Sequence, residues 1–140
     1  MTRLQQLFGE QGQSPWLDNL KRGYLTGGDL QRLLDDGIRG VTSNPTIFQK
    51  AIAGSGEYDE QFKACADERR TIDEIYWSLV VGDIEEALRV LRPVYDASDG
   101  GDGFVSVEVA PDLARDTDGT IRSARELHDR IAEPNLLVKI

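Results

Sequence analysis

Four side chains able to do chemistry stand at or near the ends of short apolar runs. Asp18 follows Trp16-Leu17, Asn44 follows Gly40-Val41-Thr42-Ser43, Glu108 lies within Phe104–Val109, and Lys139 lies within the closing run Asn135-Leu136-Leu137-Val138-Lys139-Ile140. A lysine inside a buried strand is costly as an ammonium ion. The usual escape is a lowered pKa, which leaves a neutral amine able to attack a carbonyl and form a Schiff base. An amine nucleophile, two carboxylates and an amide suit that chemistry on a sugar carbonyl. The iminium is the electron sink for C–C cleavage, a carboxylate moves protons, and the amide orients a carbonyl or hydroxyl. Each residue also has a plainer reading. Lys139 at a strand end reaches water through its stem, Asp18 caps a turn, and Asn44 caps a helix. Glu108 asks for more, because a glutamate in so apolar a strand needs a partner or a task.

The elements that must position these residues alternate between strand and helix. Leu4, Leu7 and Phe8 share a helical face, which Gly9 and Gly12 are expected to break. Ser14–Leu20 is a short apolar piece carrying Asp18. Thr26-Gly27-Gly28-Asp29 has the pattern of a capping box before Leu30, Leu33 and Leu34, with Gly37 as the stop. Ile38–Thr42 has strand character and leads to Asn44 as cap and Pro45 in the first helical position. Four helical segments then follow. Their apolar faces start at Ile47, at Tyr58, at Ile75 behind Thr71-Ile72-Asp73-Glu74, and at Ala87 behind Asp83-Ile84-Glu85-Glu86; Pro93 is expected to kink or end the last. Asp99–Gly103 reads as an acidic turn. It is not a calcium loop, because Val107 stands where a bidentate glutamate belongs. Phe104–Val109 is a strand with valines on one face and Phe104, Ser106 and Glu108 on the other. Thr117 or Asp118 should cap a helix with Ile121, Ala124, Leu127 and Ile131, and the lysine strand closes the chain. His128, the one histidine, reads as structural or surface rather than as a metal ligand.

Strands alternating with helices predict a parallel sheet with right-handed crossovers. In a β/α barrel the C-terminal ends of the strands form the active-site rim, where Asp18, Asn44, Glu108 and Lys139 would meet. The chain's 140 residues suffice for one domain but are short for a complete barrel. A net charge of -9 argues against nucleic acid or an anionic membrane as partner, and leaves room for a local basic pocket for a phosphorylated metabolite. The single cysteine, Cys65, excludes an intramolecular disulfide and fits a reducing compartment. No run has membrane-spanning length and the N-terminus lacks a signal pattern, so a cytoplasmic location is expected. Lys21, Lys50 and Lys63 fall in segments read as exposed turns or helices.

Taken together, Trp16-Leu17-Asp18, Gly40-Val41-Thr42-Ser43-Asn44-Pro45-Thr46, Val105-Ser106-Val107-Glu108-Val109 and Leu137-Val138-Lys139-Ile140 resemble the successive signatures of the transaldolases. The segment Asp83–Tyr95 resembles that family too. The resemblance implies an α/β fold, a (β/α)8 TIM barrel of the class I aldolase type. Its first four strands and their helices would occupy residues 1–140 as one N-terminal half-barrel. It implies transfer of a dihydroxyacetone unit between sugar phosphates, from sedoheptulose 7-phosphate to glyceraldehyde 3-phosphate in the pentose phosphate pathway, without metal or organic cofactor. Lys139 would form the Schiff base and Asp18 would exchange the proton of the hydroxyl beside the cleaved bond. Glu108 would hold the proton-shuttling water, and Asn44 with Thr42 would bind the retained three-carbon unit. Family members continue past the lysine strand into Pro-Ala-Thr and four more β/α units, which carry the phosphate-gripping residues. The chain is therefore expected to be a fragment completed by a C-terminal half-barrel, or else a half-barrel that forms homo-oligomers. Alone it should be inactive, with Lys139 wet on an open edge strand. The alternatives are a non-catalytic half-barrel serving as a structural or interaction module, and another lysine-dependent aldolase.

Overall fold

The computed structural model describes residues 1–140. In chain order the elements are α1 (Arg3–Gln11), β1 (Trp16–Leu17), α2 (Arg22–Thr26), α3 (Asp29–Asp35), β2 (Gly40–Val41) and α4 (Pro45–Ala53). A 3-10 turn at Gly56–Tyr58 then precedes α5 (Asp59–Asp67), α6 (Ile72–Ala97) and β3 (Val105–Glu108). A second 3-10 turn at Pro111–Arg115 leads into α7 (Thr117–Ile131) and β4 (Leu136–Lys139). The strands form one parallel sheet in the order β1-β2-β3-β4, as successive staves of a (β/α)8 barrel do. Residues Leu17, Val41, Val105, Val107 and Leu136 turn one sheet face toward the helices. There Val41, Val105, Val107 and Leu136 join Val80, Ile84, Leu88 and Leu91 of α6 and Leu127 and Ile131 of α7 in the main core. A smaller cluster of Tyr58, Cys65, Ile75 and Leu79 packs α5 on the start of α6.

Several local expectations are corrected. Gly9 does not interrupt α1, which runs on to Gly12; Gly12 takes the left-handed conformation and closes it. The pattern at Thr26–Asp29 is not a capping box. Gly28, left-handed at φ 72, is the N-cap of α3 without any side-chain bond, and the Thr26 hydroxyl turns back to the Arg22 carbonyl and to Glu57. The two helices expected from Thr71 and from Asp83 are a single 26-residue helix, α6, that begins in a Thr71–Glu74 capping box. Pro93 does not end it and lies inside the helix. Both Pro93 and Arg89, whose carbonyl loses its usual donor, are exposed, so water can serve that carbonyl. The cap of α7 is Asp116, one residue before the two candidates; it accepts from the Gly119 amide, and a Cβ at Gly119 would run into its carboxylate.

Asp83, read from sequence as a helix start, is 2% exposed in the middle of α6. It accepts from the Tyr58 hydroxyl at 2.8 Å and from Arg22 Nε at 2.9 Å, and the Arg22 guanidinium lies over the Tyr58 ring at 4.3 Å. The Arg22 amide also donates to the Tyr58 oxygen at 2.9 Å, so one buried carboxylate ties α2, the first 3-10 turn and α6 together. Burial pushes the Asp83 carboxyl above the usual carboxylate range, against the pull of the Tyr58 and Arg22 hydrogen bonds. Asp83→Ala strands a nearly buried guanidinium and should cost about 3 kcal/mol in urea unfolding. The pH dependence has a definite sign. A raised carboxyl pKa means that the folded state holds the proton more tightly, so its contribution is complete below the unfolded value and falls as pH rises through the window above it. The stability of the natural sequence minus that of Asp83→Asn should therefore shrink as pH rises from about 3.5 toward neutrality. A difference that grows over that range would reverse the assignment.

Candidate functional site

Because side chains alternate along a strand, the face opposite the core receives Asp18, Thr42, Glu108 and Lys139 at the C-terminal strand ends. The β3–β4 register pairs Glu108 with Lys139 directly, and Lys139 Nζ meets Glu108 Oε1 at 2.5 Å. One strand over, the Thr42 hydroxyl donates to Asp18 Oδ1 at 2.6 Å, which orients the carboxylate and leaves its second oxygen free. Asn44 is the N-cap of α4, with its side-chain oxygen accepting from the Ile47 amide at 2.9 Å. Since the oxygen is committed to the cap, the Nδ2 donor is the end available to a ligand. A cavity of about 510 Å³ adjoins these groups, lined by Asp18, Asn44, Thr46, Lys50, Glu108 and Pro111 among others, but not by Thr42 or Lys139.

The ladder between β2 and β3 contains one register pair, Val41 with Val105. The buried Ser43 extends it by donating its hydroxyl to the Ser106 carbonyl at 2.7 Å, and this keeps Thr42 and Asn44 beside Glu108. Ser106 lies two residues before Glu108 on the same strand face, 4% exposed, with its own hydroxyl oxygen unpaired by protein. Tyr76 of α6 approaches from the helix side. Burial, and then the Glu108 charge, push its hydroxyl above the ordinary tyrosine value. At the opposite end of the sheet Trp16 lies where a Cβ of residue 40 would be, which is why Gly40 occupies that position, and stacks with Phe104 at 6.4 Å. Beneath it Asp102, from the acidic turn, pairs with Arg39 Nε at 2.6 Å and accepts from Ser14.

All five residues singled out in the sequence thus reach one end of one sheet face. Lys139 is 43% exposed on the edge strand, as expected for an open half-barrel, and its neighbour is a carboxylate rather than an apolar wall. Glu108 has the partner its strand demanded. Lys50, read as an ordinary helix-surface lysine, lines the cavity. Its spacing from Thr46, four residues along α4, was the signal that both share a face with the Asn44 cap. His128 is exposed beside Asp129.

A lysine and a glutamate thus pair across parallel strands, at the strand ends that also hold an oriented aspartate. The chain belongs to the transaldolase/fructose-6-phosphate aldolase family, which residues 15–140 match. It is 48% identical over 130 residues to transaldolase 2 of Nostoc punctiforme, covering 92% of this chain and 34% of that protein. It is 47% identical over 130 residues to a transaldolase of Thiobacillus denitrificans, covering 92% of this chain and 36% of that one. Across its full length it is 42% identical to transaldolase 2 of Streptomyces avermitilis, of which it covers 38%. The chain spans about a third of the length of the curated relatives it matches.

The two jobs open to Asn44 are separable. Asn44→Ala should lower stability by about 1 kcal/mol through loss of the α4 cap, whereas Asn44→Asp keeps a capping oxygen and should unfold at nearly the natural urea midpoint. An equal loss in both variants would show that the cap is not what Asn44 contributes to the fold.

Proposed function

We propose that this chain carries the Schiff-base half of a transaldolase. The enzyme would move a dihydroxyacetone unit from sedoheptulose 7-phosphate to glyceraldehyde 3-phosphate, giving erythrose 4-phosphate and fructose 6-phosphate. The carrying observation is the in-register pair Glu108–Lys139 beside the Thr42-oriented Asp18. Lys139 attacks the donor carbonyl once Glu108 has taken its proton, directly or through a water. The same carboxyl then protonates the carbinolamine hydroxyl so that water leaves and the iminium forms. Asp18 removes the proton of the hydroxyl beside the scissile bond. The C–C electrons pass to the iminium nitrogen to give an enamine, and the aldose product departs. The enamine attacks the acceptor aldehyde, Asp18 returns the proton, and hydrolysis frees Lys139. Asn44 Nδ2 and Thr42 hold hydroxyls of the retained three-carbon unit.

Residues 1–140 form one N-terminal half-barrel, and the unpaired edge of β4 suits completion by further strands, from a C-terminal half or from a second copy. No helix is long and apolar enough to cross a membrane. A cytoplasmic place in the pentose phosphate pathway belongs to the same proposal; the chain's single cysteine, Cys65, leaves no intramolecular disulfide to form, which fits a reducing compartment.

Borohydride trapping tests the centre of this reading. With residues 1–140 and a family C-terminal half supplied in trans, fructose 6-phosphate should leave a reduced adduct on Lys139. Lys139→Ala should abolish it, and an adduct on Lys21, Lys50 or Lys63 would defeat the assignment. Asp18→Asn should retain the adduct but lose cleavage by about a hundredfold to ten-thousandfold, because an amide cannot accept the hydroxyl proton. Near-normal turnover in that variant would leave Asp18 as a turn residue only. Residues 1–140 without the second half should show no turnover, and full activity there would refute the half-barrel division.

A further inference from the structure

No step of the proposed reaction uses Ser106, a buried donor on the site face of β3. It lies two residues before Glu108, is 4% exposed, and its hydroxyl oxygen is unpaired by protein. Its neighbours on that face do not engage it. Thr42, which continues β2 beside it, spends its proton on Asp18, and Leu137, level with Ser106 on β4, has an apolar side chain. The Ser43 hydroxyl is taken by the Ser106 carbonyl rather than by its side chain. A buried hydroxyl without a partner is costly, and in a strand this apolar an alanine would fill the place without that cost. Glu108, one step up the same face, has acceptor capacity to spare, because only its Oε1 meets Lys139 Nζ. Residues two apart on a strand are about 6.6 Å apart. A glutamate laid back along the strand and a serine hydroxyl close that span between them.

We propose that Ser106 is a positioning residue for Glu108, its hydroxyl receiving the carboxylate when Lys139 releases it. This rests on the reading of Lys139 as the Schiff-base lysine, and deepens it by giving the moving carboxylate a second resting point. In the ion pair the ammonium offers three N–H donors, whereas the iminium nitrogen, doubly bonded to the substrate carbon, keeps one. Glu108, having given its proton to the departing hydroxyl, is then a carboxylate that has lost most of the donors it faced. The Ser106 O–H supplies one without adding charge, from a strand whose position the β3–β4 ladder fixes. Ser106 touches no substrate; it acts through Glu108.

The contact can be read without substrate. Lys139→Met keeps an apolar stem and removes the donors, so in residues 1–140 it mimics the released state. In the natural background Ser106→Ala removes an unpaired hydroxyl and should leave the urea midpoint unchanged or raise it. In the Lys139→Met background the same change should lower the midpoint, and adding Glu108→Ala should cancel that loss. With the C-terminal half in trans, Ser106→Ala should lower kcat about tenfold with KM unchanged. Ser106→Thr, which keeps the hydroxyl, should recover most of that loss. The same midpoint shift in both backgrounds would overturn the proposal, as would an unchanged kcat in Ser106→Ala where Lys139 is trapped by borohydride. Failure of that trapping would defeat the Schiff-base reading, while the midpoint cycle still decides whether Ser106 holds Glu108.

Discussion

The two-residue alternation of four parallel strands governs everything else in this molecule. It sends Val41, Val105, Val107 and Leu136 to the helices and leaves Thr42, Glu108 and Lys139 on the other side. A slip of one residue between β3 and β4 would carry Lys139 into the apolar layer and Val138 into the site. The apolar layer therefore fixes the chemistry indirectly: burying Val105, Val107 and Leu136 is what makes Glu108 face Lys139. Register also explains why Ser43 matters. With a single ladder pair between β2 and β3, its buried hydroxyl on the Ser106 carbonyl is the additional tie that holds the two halves of the site at one level.

Polar groups that are buried elsewhere serve position rather than reaction. Asn135, fully buried at the start of β4, donates from one nitrogen to the Leu88 carbonyl of α6 and to the Gly103 carbonyl before β3. It thereby sets the height at which β4 begins, and the ladder carries that setting to Lys139. Arg39, Asp102 and Ser14 fasten the N-terminal ends of β1 and β2 to the turn before β3. Asp83 does the same for α2 and α6. The division follows barrel logic, with stability concentrated at the N-terminal strand ends and chemistry at the C-terminal ends.

Most of the site was legible in the sequence, because its members stand at the ends of apolar runs and strand ends are where a β/α sheet exposes function. The parallel sheet and the Asn44–Pro45 helix start were legible for the same local reasons. What was not legible depended on contacts between distant residues. Asp83 followed by Ile84-Glu85-Glu86 has the composition of a helix start, and only Tyr58 and Arg22, far off in sequence, make it a buried mid-helix acid. Thr26 donates its hydroxyl to Glu57 rather than capping α3, whose N-cap is Gly28. Asp116, Thr117 and Asp118 are all good capping types, and the choice among them fell to the space that Gly119 leaves. That Pro93 does not end α6 depends on the freed carbonyl being able to face water, which periodicity alone did not show. Lys50 was passed over although its spacing from Thr46 places both on one face of α4.

Lys139 has a carboxylate in contact, and in the proposed role that carboxylate is the acceptor for the proton the amine gives up before it attacks a carbonyl. In the proposed role Glu108 is then more than a holder of water. It is the base that frees the amine and, carrying the same proton, the acid that expels water from the carbinolamine. The 2.5 Å contact suits the first of these steps, and the second requires the carboxyl to swing toward the incoming carbonyl carbon. Glu108 is 27% exposed at the mouth of the cavity, and its backbone is fixed by the β3–β4 ladder while its side chain is free to make that swing. In the proposed role, strand register thus supplies a rigid base for a short proton-carrying arm beside Lys139.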